Sequence, residues 1–231
     1  MKIEVWSDIV CPFCYIGKRK LEEALRGFQH GSRVKVEWKS YQLAPNAQPE
    51  PNKSVVAYLA ERKRISEAEA KRIYGHVTDM AKENGIAFNL EKAVICNTFN
   101  AHRLSHLARS FDLQNEMAEK LFAAYFTEGK DLNDLAVLAE LGVEVGLPAN
   151  IIWQMLYDNQ YAEEVSTDIA EASLLGVQGV PFFVFDRKYA ISGAQPTSYF
   201  VQTLEKAWAE SLPIFRMDNV IRGNSENADS L

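Results

Sequence analysis

Two cysteines, in the run Cys11-Pro12-Phe13-Cys14, sit between a strand-like stretch, Lys2-Ile3-Glu4-Val5-Trp6-Ser7, and a helix-like segment that reaches Phe28. No other feature restricts the fold as much. Two thiols at this spacing on the first turn of a helix can close a disulfide, and backbone N–H groups at a helix start favour a thiolate on the first. Pro12 suits that turn because its missing N–H would have no helical partner. Cys11 is therefore read as the nucleophile. Cys14, one turn in and on a stripe with Leu21 and Leu25, is read as the resolving thiol that attacks the mixed disulfide.

With 47% hydrophobic residues in 231, the chain can bury a full core without a covalent staple. Three cysteines are too few for a disulfide-stapled scaffold, which leaves the closely spaced pair for chemistry. A net charge of −6 and the lack of any basic block argue against nucleic acid as a partner. Lys2, Glu4 and Asp8 interrupt any apolar leader, and no later stretch approaches membrane-spanning length, so the expectation is a cytoplasmic protein without a membrane partner.

Val34, Val36 and Trp38 alternate with Lys35, Glu37 and Lys39, the period of a strand with one covered face, and complete a strand, helix, strand unit with parallel strands. Pro45, Pro49 and Pro51 break that pattern. From about Lys53 the periodicity is helical for some hundred residues, with a capping box at Ser66 and Glu69, a helix end at Gly85, and an apolar stripe, Leu135, Leu138, Gly142 and Val145, that ends at Gly146. A helix over Ala162 to Leu175 follows, then a buried strand over Val180 to Phe185, a turn, a second strand at Tyr189 to Ser192, and a final helix from Pro196 to about Glu210. This order predicts an α/β chain, a thioredoxin fold with a large all-helical insertion. Residues 1–52 and 161–212 form the split platform, 53–160 the insertion and 213–231 a tail whose last ten residues are expected to be disordered.

Several residues carry rival readings. His102 and His106, four apart on a helix, would complete a Cys₂His₂ zinc set with the dithiol, but at some ninety residues' separation and with a proline between the sulfurs this ranks well below redox chemistry, and no metal is expected. The bond before Pro181 can be cis or trans. Thr98, His102, Ser105 and Arg109 fall on one polar stripe, opposite Leu104, Leu107, Ala108 and Phe111, which suits either a cleft wall or a solvated face. Cys96 reads as a small buried hydrophobe and Glu37 as exposed, which leaves the acid that relays a proton to Cys14 unidentified.

The runs Ser7-Asp8-Ile9-Val10-Cys11-Pro12-Phe13-Cys14-Tyr15-Ile16-Gly17-Lys18, Gly179-Val180-Pro181-Phe182-Phe183-Val184-Phe185 and Ile191-Ser192-Gly193-Ala194-Gln195 resemble the DsbA family, nearest to its cytoplasmic FrnE-like branch. The run Asn97-Thr98-Phe99-Asn100-Ala101-His102-Arg103-Leu104 is similar to that branch as well. The resemblance implies Cys11 as attacking thiol and a cis Val180-Pro181 bond against the dithiol. It further implies a substrate site that draws on Pro12, Phe13, Val180 and Pro181 and, through the helical run, on Asn97, Thr98 and His102. The implied activity is that of a thiol–disulfide oxidoreductase or isomerase, acting on protein or small-molecule disulfides. It needs no dissociable cofactor, leaves glutathione open as a co-substrate, and calls for a redox partner from the thioredoxin or glutathione system. Two alternatives stay open: a glutathione-dependent isomerase or transferase of the hydroxychromene carboxylate or kappa type, and a non-enzymatic adaptor. The first commonly has serine where this chain has Cys11.

Overall fold

The structure is a computed structural model and describes residues 1–50 and 52–211. The expectation of a disordered tail falls outside that range. Strand β1 (Lys2–Ser7) leads through Cys11 into helix α1 (Pro12–Gly27) and on to β2 (Lys35–Ser40). The helical block follows: α2 (Val55–Lys63), α3 (Glu67–Glu83), α4 (Phe99–Arg109), α5 (Gln114–Ala123) with a π-helical turn at Ala124–Glu128, α6 (Leu135–Val145) and α7 (Ala149–Tyr157). Helix α8 (Ala162–Leu174), β3 (Phe182–Phe185), β4 (Tyr189–Ser192) and α9 (Thr197–Ser211) complete the platform.

The sheet runs β2-β1-β3-β4, with β1 and β2 parallel and the other pairs antiparallel. Register places Val5 beside Trp38 and Phe183, and Ile3 beside Phe185. These side chains form one apolar face, packed with residues of α1, α9 and the helical block in a single core. That core passes from Phe183 and Phe200 to Leu104, Phe122 and Leu138 without a break between the two parts of the chain. The other face has a small apolar centre, where Trp6 and Val184 meet Ala172 of α8 and Val177 beyond it. Around this centre lies a ring of charges.

Local signals act where the sequence put them. The Ser66 hydroxyl accepts from the Glu69 N–H at 3.1 Å, while the Glu69 carboxylate turns to Arg72 instead of closing the box. Gly146 takes φ +106° after α6, a left-handed conformation that glycine adopts at little cost.

Two expectations are corrected. Glu37 is on the same face as the lysines but only 13% exposed, because α8 covers that face and Lys2 (2.7 Å) and Arg109 (2.9 Å) close on its carboxylate. Helix α4 has no solvated side over Ala101–Ala108, all of which is buried, since sheet-side loops, α5, α6, α7 and α8 surround it.

Candidate active site

Cys11 is the N-cap of α1, with extended backbone (φ −91°, ψ 110°), and Pro12 follows at the start of the helix. Its N–H donates to the Asp8 carbonyl at 3.0 Å, and its carbonyl accepts from the Cys14 N–H at 3.0 Å, so the backbone between the two sulfurs is fixed at both ends. The Cys11 thiol donates to the Val180 carbonyl at 3.5 Å, across a cis Val180-Pro181 bond. Cys14 is fully buried. Burial pushes its thiol well above the ordinary value, and the hydrogen bond and charge of Cys11 push it further; the Ser7 hydroxyl and the Asp8 N–H act in the opposite direction. Behind the dithiol, Gly17 lies so close to the Val180-Pro181 segment that a Cβ would be 3.0 Å from both Phe183 Cζ and Pro181 Cγ.

Cys11 opens onto a cleft of about 450 Å³. Val10 to Phe13 form its floor with Gly179 and Val180, and Leu43 and Ala44 one side. Helices α2 and α3 form the opposite wall, and Ile95, Cys96 and Tyr125 close the back. Burial, reinforced by the charge of Cys11 and opposed by Arg62, pushes the Tyr74 hydroxyl up to about 12, so it remains a proton donor at neutrality. Burial likewise pushes the Cys96 thiol up.

Of the residues singled out in the sequence, Pro12, Phe13 and Val180 line the cleft with Cys11, and Pro181 lies behind Val180 against Gly17. Asn97, Thr98 and His102 do not line it. Asn97 accepts from Gln42 Nε2 at 2.9 Å and donates to the Pro45 carbonyl at 2.8 Å, which braces the 42–45 loop, and Thr98 is buried beside Gln42. His102 Nε2 bonds the Tyr41 carbonyl at 3.0 Å and faces a void of about 20 Å³, the size of one water, shared with Ser7, Ser40 and Ser105. Their bonds brace the 41–45 segment, which bears Leu43 and Ala44 of the cleft. The histidines are not gathered with the dithiol: His106 Nε2 bonds Ser40 Oγ at 3.0 Å and lies 3.1 Å from Asp168. Among the described residues no group of three or more His, Cys, Asp or Glu is placed to hold a metal.

Sequence reasoning missed Asp8, Tyr74, Arg62 and the cleft position of Cys96. Asp8 is 1% exposed; one carboxylate oxygen accepts from Leu43 N–H at 2.7 Å, and the other has no hydrogen-bond partner and is 3.5 Å from His102 Nε2. Its place in the run that leads from β1 to Cys11 was the available signal. Nothing local marks Tyr74 or Arg62, which reach the cleft only through the packing of α2 and α3 over the dithiol.

The model of the DSBA-like thioredoxin domain matches residues 2–205. A probable DsbA oxidoreductase from Streptomyces coelicolor has a similar structure, with a TM-score of 0.87 and 36% identity over 97% of each chain. YwbO of Bacillus subtilis is 30% identical over 149 residues, 63% of this chain and 66% of that relative, a little under two-thirds of its length. The cytosolic disulfide reductase DsbM of Pseudomonas aeruginosa, in a structure with GSH, has a TM-score of 0.66 and 17% identity over 90% of this chain and all of that one, a likeness of fold alone.

Proposed function

The chain belongs to the DSBA-like thioredoxin domain family, and on that premise we propose that it exchanges disulfides through Cys11 and Cys14. The observation that carries this reading is the arrangement of the two sulfurs: Cys11 at a helix start on the cleft floor, and Cys14 one turn below it with no exposure. Cys11 thiolate attacks one sulfur of a substrate disulfide, forms a mixed disulfide and releases the other substrate half as a thiolate. Cys14 then loses its proton and attacks the Cys11 sulfur, which closes the Cys11–Cys14 disulfide and releases the second half. Two electrons pass from the dithiol to the substrate, and the reverse sequence oxidises a substrate dithiol.

The environment of Cys14 supports this order of events. Part of what keeps its proton in place is the charge of Cys11, and that charge disappears once Cys11 is tied up in the mixed disulfide. The Ser7 hydroxyl and Asp8 N–H then favour the incoming thiolate. Phe13, 37% exposed at the cleft mouth, offers an apolar contact to the substrate beside the reacting sulfur.

The substrates are protein or small-molecule disulfides, and a cellular thiol system recycles the dithiol. We place the protein in the cytoplasm, in keeping with a chain too poor in cysteine for a disulfide-stapled secreted scaffold; no helix among the described residues is long and apolar enough to cross a membrane. The test is a pair of variants. Cys14→Ser should accumulate a mixed disulfide with substrate, seen as an added mass that dithiothreitol removes, and Cys11→Ser should form none. Unchanged disulfide exchange in Cys11→Ser would overturn the reading.

A further inference from the structure

Resting on the disulfide-exchange reading, we propose that the substrate is a small apolar or aromatic disulfide or thiol that carries an anionic group, recognised by the α2–α3 wall with Arg62 and Lys63. The cleft's volume, about 450 Å³, is that of a small-molecule site, and helices α2 and α3 roof the space beside Cys11. Its walls are aliphatic and phenolic: Val55, Leu59, Ile73, Val77 and Ile95, with Tyr58, Tyr74 and Tyr125 among them.

The charges at this site are of one sign. Arg62 and Lys63 line the cleft, and no aspartate or glutamate does, in a chain whose net charge is −6. Neither cation makes an ion pair among the described residues, although the neighbouring Glu61 pairs with Lys53. Arg62 donates one bond, to the Leu43 carbonyl, which aims the guanidinium across the cleft mouth, and its charge is felt at Tyr74 on the opposite helix. An apolar body would displace water from the aliphatic wall, and a carboxylate on it would find an unpaired guanidinium able to receive it with two parallel bonds. Glutathione, whose carboxylates would also meet these cations, has no apolar body for the aliphatic wall to desolvate and fits less well.

The experiment uses the fully reduced full-length protein in single turnover. It is mixed separately with 5,5′-dithiobis(2-nitrobenzoate), which is aromatic and anionic, 4,4′-dithiodipyridine, which is aromatic and neutral, cystamine, which is cationic, and oxidised glutathione. Each rate constant is divided by that of dithiothreitol with the same disulfide, which removes differences in intrinsic reactivity. The nitrobenzoate should exceed oxidised glutathione and cystamine by at least about 100-fold, close to 3 kcal/mol. Arg62→Gln with Lys63→Gln should reduce the nitrobenzoate rate by about 2- to 5-fold, as expected for the loss of an exposed ion pair. The ratio of nitrobenzoate to dithiodipyridine rate should fall by the same factor, and an unchanged urea unfolding midpoint shows that the double variant is folded. Oxidised glutathione or cystamine as the fastest probe after normalisation, or a nitrobenzoate rate indifferent to the double variant, would overturn the substrate class and leave the exchange reading standing. The exchange reading itself fails on a different result, the consumption of every probe by Cys11→Ser at the wild-type rate.

Discussion

The two faces of the sheet handle charge in opposite ways. On the face toward α8, Lys2, Glu4, Glu37 and Lys39 are each ion-paired, and Asp168 receives Lys39 at 2.6 Å, His106 and the Ser40 N–H while its own carbonyl takes the Trp6 indole, which leaves His106 Nδ1 as the one buried side-chain atom of this cluster without a hydrogen-bond partner among the described residues. On the face toward the dithiol the core is apolar around the sulfurs, one oxygen of the buried Asp8 has no hydrogen-bond partner, and the exposed cations of the cleft, Arg62 and Lys63, have no counter-ion among the described residues. A buried charge with its partners fixes a structure, whereas a solvated cation without a counter-ion, as at Arg62 and Lys63, is available to a ligand. The difference separates the part of the platform that holds its shape from the part that reacts.

The sharpest way to break this comparison is a pair of substitutions with opposite expected effects. Cys11→Ser should lower disulfide exchange by roughly 10³-fold or more, as when a nucleophile is removed, with the unfolding midpoint in urea unchanged. Asp168→Ala should instead cost about 3–5 kcal/mol in urea unfolding, because Lys39 and His106 lose a buried partner, and should leave single-turnover exchange by the folded protein within about twofold of wild type. A comparable loss of exchange in Asp168→Ala would erase the distinction between the faces.

Gly17→Ala is a smaller test at the boundary between holding and reacting. The added methyl must displace Phe183 or Pro181, at a cost of about 1–3 kcal/mol, and Pro181 carries the Val180 carbonyl that bonds Cys11. Both stability and exchange rate should fall together.

The smallest expected effect concerns acid. Burial alone would push the Glu119 carboxyl up, but the bonds from Arg19 and Lys18 outweigh it and hold the group at about 2, against an ordinary value of 4.5. Because the folded value is the lower one, this stabilisation is complete above pH 4.5 and is lost as pH falls through about 2. Glu119→Gln should therefore be less stable than wild type at neutrality, by about 1 kcal/mol for this partly exposed network, and the two should converge in melting temperature as the pH is lowered toward 2.

Much of this was legible in the chain because the controlling signals are local. The strand before Cys11, the proline after it, the cap at Ser66 and the turn at Gly146 are short patterns whose physical effect does not depend on distant residues. The polar stripe of α4 was misjudged for the opposite reason. Thr98, His102 and Ser105 have the spacing of a solvated face or a cleft wall, and only the arrival of Gln42, Tyr41 and Gln114 from elsewhere in the chain turns them into buried, bonded groups. The cleft was beyond reach on the same grounds. Arg62, Tyr74 and Cys96 are 12 and 22 residues apart and meet Cys11 through the packing of three helices and a loop, which no periodicity reports.

Glu119 also joins two parts of the molecule that a linear description keeps apart. One carboxylate of α5 receives Lys18, Arg19 and the Tyr15 hydroxyl, all from the helix that begins at the reactive sulfur. Helix α5 of the inserted block is thereby tied to the dithiol helix itself, while α2 and α3 of the same block line the cleft beside Cys11. The entry to Cys11 is built from both parts of the chain, so its lining comes into being only when the helices have packed beside the dithiol.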